Sequence, residues 1–530
     1  MTQNAVPHRA LITGCTMVAT LMQALDSTIA NVALPYMQGS LATTSDQITW
    51  VLTSYVIAAA IMTAPVGWLA ARFGRKNLFI VTLAGFTLTS MMCGAAQSLE
   101  QMVLFRLLQG MCGAALVPLS QATLLDIYPA ERRAAAMAIW GIGVMVGPIL
   151  GPTLGGFLTE HYSWRWVFYV NLPFGALAIA GLMAFMPAED SNDTMRFDWT
   201  GFAVLALGIG SLQLMLDRGG NQDWFSSREI ITEAVLAGLG LYLFVVHMFT
   251  AEQPFLPPAI FRDRNFTAAV LMMFLIGIVL LASSALLAPY LQNLSSYPVE
   301  TAGYAMAPRG IGTVVAMMIA GRLGTRVDQR KLMGVGMLLL SWSLYDMSLW
   351  TPDVSGQRLL LTIVVQGFAL GIVFNPLTVL SFATLAPQFR GDAAALLSLF
   401  RNIGAAIGVS VTAFSLAQLT QVSHADLAAA ITPFNRLLQS GAAGHLLNPA
   451  TPGGAALLEA AIHREALIIA YNDDYRLMML ATLAPLLLLP LMRRGGNRAK
   501  QGQGALPPGP PPRGSGPLEP ITLRVVGRGG

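Results

Sequence analysis

The sequence predicts an all-α integral membrane fold of fourteen transmembrane helices, two six-helix bundles with two spans inserted between them. Three observations predict it. Of 530 residues, 55% are hydrophobic and only 11% charged, where soluble domains carry about 25% charged residues. Fourteen apolar segments are each long enough to cross ~30 Å of hydrocarbon with every backbone group bonded internally. The two ends of the apolar region also repeat one another.

Composition comes first because it excludes most alternatives. With a mean hydropathy of +0.60, the outer surface must be apolar as well as the core, and only lipid tolerates that. A net charge of +4 would suit nucleic acid if the basic residues formed a stripe. They fall instead in short clusters between apolar runs, which topology explains without an anionic partner. Cys15, Cys93 and Cys112 lie inside apolar segments with no spacing for a metal site or disulfide framework, so packing is their expected role. The first apolar run, Leu11 to Leu34, is too long for a signal-peptide core and stays as a span.

The segments begin near Leu11, Gln47, Leu78, Gln101, Ala135, Val167, Gly201, Ile230, Asn265, Ala302, Leu332, Leu359, Ala393 and Asp474. With the N-terminus in the cytoplasm and sides alternating, thirteen Lys and Arg residues fall in inner loops, including Arg72, Arg75, Lys76, Arg132, Arg133, Arg330 and Arg390. Only Arg165, Arg218, Arg228 and Arg358 fall in short outer loops. That bias places both termini in the cytoplasm. The bundles then cover 11–186 and 265–492, and the inserted pair 199–250. A long outer loop is expected over 421–471, with short interfacial helices or a partner contact as its uses. A Gly- and Pro-rich cytoplasmic tail, 493–530, is too poor in apolar residues to order itself.

The repeat runs at a nearly constant offset. Gly67, Leu69 and Arg72 recur as Gly321, Leu323 and Arg326, an offset of 254. Gln109 and Gly110 recur as Gln366 and Gly367, at 257; Pro129 and Arg132 recur as Pro387 and Arg390, at 258. Gly147 and Gly151 recur as Gly404 and Gly408, again at 257. The shift is eight spans, as six-span halves with two extra spans between them produce. Parallel halves of this kind are used by secondary transporters, with the substrate site at their interface near mid-membrane.

Span 1 reads LDSTIANVALP from Leu25, span 4 RLLQG from Arg106, span 5 GPILGPTLGG from Gly147, and span 6 opens with WRWVFYVNLP from Trp164. In these motifs the chain, from Leu11 to Arg494, resembles the major facilitator superfamily and, within it, the fourteen-span EmrB/QacA-type drug:proton antiporters. The resemblance implies a proton-coupled multidrug efflux permease of the bacterial inner membrane, driven by the proton gradient with no cofactor. It also implies a periplasmic adaptor and an outer-membrane channel in EmrB-like members, while QacA-like members work without them. Export of one metabolite, siderophore or fatty acid by the same cycle is the alternative. A membrane enzyme or receptor is a third class, but HExxH, GxSxG and GxxxxGK[ST] are absent from the sequence.

Asp26 is the residue that chemistry singles out, because an ionisable side chain inside a span is costly and by default marks an ion or substrate path. It lies nine residues before Pro35, about 13 Å below the outer end of span 1, and Arg106 lies about 9 Å below the outer end of span 4. A buried carboxyl holds its proton tightly and a nearby guanidinium loosens it, so changing their separation would switch protonation. The competing reading is a permanent ion pair between spans 1 and 4. Asn31 and Gln109 are candidate cavity residues.

Gly143, Gly147, Gly151 and Gly155 share one face of span 5 and admit a neighbouring helix, with Gly156 beside them. Pro148 and Pro152 add kinks. Tight packing and gating are both open readings, and the resemblance favours gating. The loop GWLAARFGRKNLF, with Gly67, Arg72, Gly74 and Arg75, resembles the superfamily's loop signature but carries Ala71 at its Asp position, which removes one latch. Arg309 and Arg401 are candidates for gating contacts or for snorkelling stems. Ile363 stands where the repeat would put an equivalent of Arg106, so the halves are chemically unequal. No residues point to a metal.

Overall fold

Apolar runs punctuated by Gly, Pro and basic turns fold into helices end to end. The computed structural model describes residues 8–188, 196–324, 326–429 and 451–492, with 431 and 447 between them. The expected tail over 493–530, the middle of the expected outer loop and the side chain of Pro152 lie outside the described residues. Among the described residues fourteen long helical segments follow one another. They are α1 (Arg9–Ser40), α2 (Trp50–Thr63 with Val66–Phe73), α3 (Arg75–Ala95), α4 (Leu99–Ile127), α5 (Arg133–His161), α6 (Trp166–Phe185) and α7 (Trp199–Arg218). Then come α8 (Arg228–Thr250), α9 (Arg264–Pro289), α10 (Val299–Leu323), α11 (Gln329–Met347), α12 (Gly356–Ala383), α13 (Arg390–Ala429) and α14 (Pro452–Leu483).

Ten of these are long and apolar enough to cross a membrane among the described residues, or twelve when the two bent pairs count as one span each. The remaining two, α10 and α11, are 25 and 19 residues long. Their interiors are diluted by Pro308, Arg309 and several glycines in α10, and by Arg330, Lys331 and Asp346 in α11. The bend of 59° in α2 falls at Ala64 and Pro65, where proline removes a backbone donor. In α5 the axis turns by 43° between Pro148 and Thr153.

Two boundaries differ from expectation. Helix α1 continues through Pro35 to Ser40, because a single proline kinks a long helix without having to end it. Helical structure also enters the expected 421–471 loop from both sides, α13 reaching Ala429 and α14 starting at Pro452 rather than near Asp474. Ala, Leu and Glu fill those flanks, and their helix propensity outweighs the lower hydropathy.

The repeat reappears as a packing rule. Helix α1 packs on α5 and α6, α2 on α4, and α3 on α4 and α6. Eight spans later α9 packs on α13 and α14, α10 on α12, and α11 on α12 and α14. Contacts that join the halves, α5 with α10 and α2 with α13, exchange under the same shift. The inserted helices cross closely where Gly208 meets Gly240, and α7 rests on α2 and α13. Helix α8 turns Val235, Tyr242, Val245 and Phe249 outward, each about half exposed or more, a surface suited to acyl chains and not to water.

Contacts between the halves gather toward the end that carries Arg72, Arg132 and Arg390, the basic end. Asp392 packs over Gly67, and Gly321 of α10 lies on Ala134 and Ala138 of α5. Trp140 stacks on Phe374 with centroids 5.9 Å apart. Asp126 on α4 accepts hydrogen bonds from both Arg75 and Arg390, one from each half.

Candidate ion-coupling site

Polar side chains from five helices of the first half meet at one point. Helix α1 supplies Asp26, α4 supplies Arg106 and Gln109 three residues apart on one face, α2 supplies Val51 and Tyr55, α3 supplies Ser90 and Cys93, and α6 supplies Asn171. Asp26 is 0% exposed and Arg106 1%. Arg106 Nη1 donates to Asp26 Oδ2 at 2.7 Å and to Gln109 Oε1 at 3.0 Å, while its Nε donates to the Val51 carbonyl at 3.0 Å. The other carboxylate oxygen accepts from Gln109 Nε2 at 2.9 Å and Asn171 Nδ2 at 3.3 Å.

A further layer holds these groups. Asn171 also donates to Ser90 Oγ at 3.0 Å, and Ser90 donates to the Phe168 carbonyl at 2.9 Å. Cys93 Sγ donates to Gln109 Oε1 at 3.5 Å. The guanidinium lies 4.2 Å from the Tyr55 ring centroid, in cation–π range. Two opposite charges thus share a dry site in which both carboxylate oxygens are hydrogen-bonded. Such a pair is strongly destabilised when one partner is removed, by about 3–5 kcal/mol.

The structure brings Asp26, Arg106 and Gln109 together. Asn31 is exposed on α1 and takes no part in the cage. Tyr55, Ser90 and Asn171 were missed by sequence reasoning, since uncharged polar residues are common in spans and carry no charge signal. Only their placement next to Asp26 makes them notable.

The glycines of α5 hold α1 in place. A β-carbon at Gly147 would sit 2.5 Å from Ala24 Cβ and 2.8 Å from Leu25 N, the two residues that precede Asp26. At Gly151 it would strike the Thr28 hydroxyl, and at Gly155 it would lie 3.0 Å from the Ile29 carbonyl. Gly143 faces only the flexible end of Met17, and at Gly156 a β-carbon meets nothing within 4 Å. Pro148 lies between Gly147 and Gly151 at the start of the bend.

The loop motif divides its work. Gly67 admits α13, and Gly74 adopts φ 79°, the left-handed region that favours glycine. Arg75 bonds Asp126, and Arg72 lies in the last turn of its helix. Asp126, four residues after Ala122 and just before Pro129, escaped the sequence reading because it stands at a span end where charges are ordinary. In the second half, Arg309 Nη2 donates to Ser283 Oγ at 3.1 Å and the Leu280 carbonyl at 3.3 Å, with Nη1 on Ser284. Arg401 reaches only Asn402 Oδ1, at 3.5 Å, and its backbone carries the close approach of Gly277.

Comparison with known proteins decides the family. The model of the Major Facilitator Superfamily matches residues 16–409. The chain belongs to that superfamily, in its EmrB-type branch. It is 37% identical to the multidrug export protein EmrB of Escherichia coli strain K12, over 79% of this chain and 82% of the relative. It is 34% identical to the fatty acid resistance protein FarB of Neisseria gonorrhoeae, over 86% of this chain and 91% of the relative. Among solved structures it resembles the human organic anion transporter MFSD10, with TM-score 0.58 at 14% identity, covering 91% of this chain and all of that one. The all-helical fold is therefore of major-facilitator type, and the chain is a multi-pass membrane protein.

Proposed function

We propose that this protein is a multidrug efflux permease that exports amphipathic toxic compounds across the bacterial inner membrane in exchange for protons. The observation that carries the coupling is the closed Asp26–Arg106 pair inside the first half. With the basic end in the cytoplasm and both termini there, the contacts joining the halves close the cytoplasmic side, so the conformation is an outward-facing one with Asp26 occluded. Proton uptake by Asp26 releases Arg106, α1 shifts against the glycine face of α5, and the halves rock about the duplicated α5–α10 and α2–α13 contacts. The bundles, 11–186 and 265–492, move as units around the inserted pair.

Substrate breadth is supported by the EmrB likeness. The FarB likeness favours a second reading, a dedicated exporter of fatty acids. An adaptor of the periplasm, leading to an outer-membrane channel, is a partner this geometry suits. Helix α13 has 40 residues, about 60 Å, so α13 and α14 rise together beyond a ~30 Å hydrocarbon layer.

The test is pH-gradient-driven transport of a cationic dye in inverted vesicles. Native protein is expected to accumulate dye and Asp26→Asn to lose that accumulation while remaining folded by gel filtration. Gradient-driven accumulation retained in the folded variant removes the coupling role. Vesicles that accumulate fatty acid but no dye select the second reading.

A further inference from the structure

The second half contains a buried acid that the cage does not use. Asp474 on α14 is 0% exposed, and among the described residues its carboxylate accepts no hydrogen bond of good geometry, only a marginal contact from the Ser415 hydroxyl of α13. Among the described residues, Asp473, Tyr471 and Tyr475 of its own helix are the titratable groups in electrostatic reach of it. Tyr475 is in electrostatic reach of Arg309 on α10 and of Tyr290 just after α9, and the Tyr290 and Tyr475 hydroxyls are also buried without partners. On α11, Asp346 is engaged elsewhere, with Arg358, Trp350 and Thr362.

Two facts describe the surroundings of this acid. The Tyr290 ring packs edge-to-face against Tyr471 and Tyr475 with centroids 5.4 and 6.4 Å apart, so aromatic side chains line this part of the core. The Arg309 guanidinium, within electrostatic reach of Tyr475, is bonded to hydroxyls and a carbonyl and, among the described residues, to no carboxylate. Depth agrees as well. Arg464 donates to the Leu294 carbonyl at the outer end of α9, and Asp474 lies ten residues further inward, about 15 Å. Arg309 is ten residues into α10, the same depth.

A carboxylate out of water with no more than one hydroxyl beside it is too costly to persist ionised, whereas a neutral acid is tolerable. We propose that Asp474 is a second proton site of the transport cycle, protonated in this conformation and deprotonated when Arg309 closes on it. A proton from the outer water forms the O–H bond on the Asp474 carboxylate. It leaves to cytoplasmic water when the Arg309 guanidinium replaces it, and no other bond changes. The inference rests on proton-driven export and adds a second proton per cycle.

The test uses full-length protein in proteoliposomes with ethidium as probe, reading protons moved per dye and the response to a potassium–valinomycin potential. Native protein is expected to move at least two protons per ethidium and to respond to the potential. Asp474→Asn, which mimics the protonated acid, should move one fewer and lose most of that response. An unchanged ratio and potential response in Asp474→Asn overturns the second site. No proton-driven transport by native protein overturns instead the function on which it rests. Should Asp474→Asn fail to fold, infrared difference spectra of native protein and Asp474→Glu decide. A protonated-carboxyl band that shifts in Asp474→Glu and vanishes at high pH is expected, and its absence sinks the site.

Discussion

In the first half the guanidinium sits on α4 and the aromatic ring on α2, Arg106 lying over Tyr55. In the second half the repeat places Arg309 where Tyr55 stands, at the offset of 254 shared by Gly67 and Gly321, and Ile363 where Arg106 stands. The surrounding backbone is the same. Gly110 packs on the Tyr55 carbonyl, and Gly367 packs on that of Arg309. The acid has moved too, from α1 in the first half to α14, the counterpart of α6, in the second. Duplication thus conserved close helix approaches, which depend on glycine and backbone, and left the charges free to migrate between helices.

The largest effect that can break this comparison comes from deleting each guanidinium. Arg106→Leu leaves a buried carboxylate with only Gln109 and Asn171, and about 3–5 kcal/mol of stability should be lost. Arg309→Met should cost less, about 1–2 kcal/mol. Ser283 and Ser284 already bond the Leu280 carbonyl at 3.2 Å and stay satisfied without it. Thermal unfolding in detergent reads the difference. Equal losses would mean that Arg309 has an ionised partner in the folded protein, and the contrast drawn above would fall.

Much of this was legible beforehand, and for a physical reason. Long apolar runs report directly on lipid, so the all-helical membrane fold could be read, although only ten to twelve of the fourteen expected spans are long and apolar enough to cross among the described residues. The glycine repeat reports on backbone proximity, so it survives as the α1–α5 and α9–α13 contacts. Asp26 and Arg106 stood out because charge in a span is rare. Asp474 did not, since the fall in hydropathy around Asp473 and Asp474 reads as a span boundary when only the sequence is available. Its burial depends on α9, α11 and α13 packing around α14, a tertiary fact with no local signature. Tyr55, Ser90 and Asn171 were hidden for the same reason.

A middle-sized effect tests the glycine face. Gly147→Val is expected to force α5 off α1, costing about 1–3 kcal/mol by overpacking and abolishing dye transport through displacement of Asp26. Gly404→Val should cost as much, because it meets the Phe274 carbonyl on α9 in the same way. Gly156→Ala, open on all sides, should change stability by less than about 0.5 kcal/mol and leave transport intact. A harmful Gly156→Ala would show that another element closes on that face during the cycle, turning a packing site into a moving one.

The smallest effect sharpens the comparison most, because it pairs two contacts that the repeat should make equal. Lys76 at the start of α3 donates to the carbonyls of Met183 and Met186, at 3.0 and 2.5 Å, closing the last turn of α6. Arg330 at the start of α11 donates to the Met492 carbonyl at 3.0 Å, closing the end of the 3-10 helix Ala484–Leu491 that continues α14. A cation bonded to terminal carbonyls adds to the helix-dipole term, worth about 0.3–1 kcal/mol. Lys76→Met and Arg330→Met should each lose that amount in thermal unfolding. Arg330 is also paired with Asp328 at 3.0 Å, so the fair comparison sets Arg330→Met in an Asp328→Asn background. A loss several times larger on one side would mean that one helix end bears load that its counterpart does not. The duplicated frame would then be unequal in its mechanics as well as in its charge.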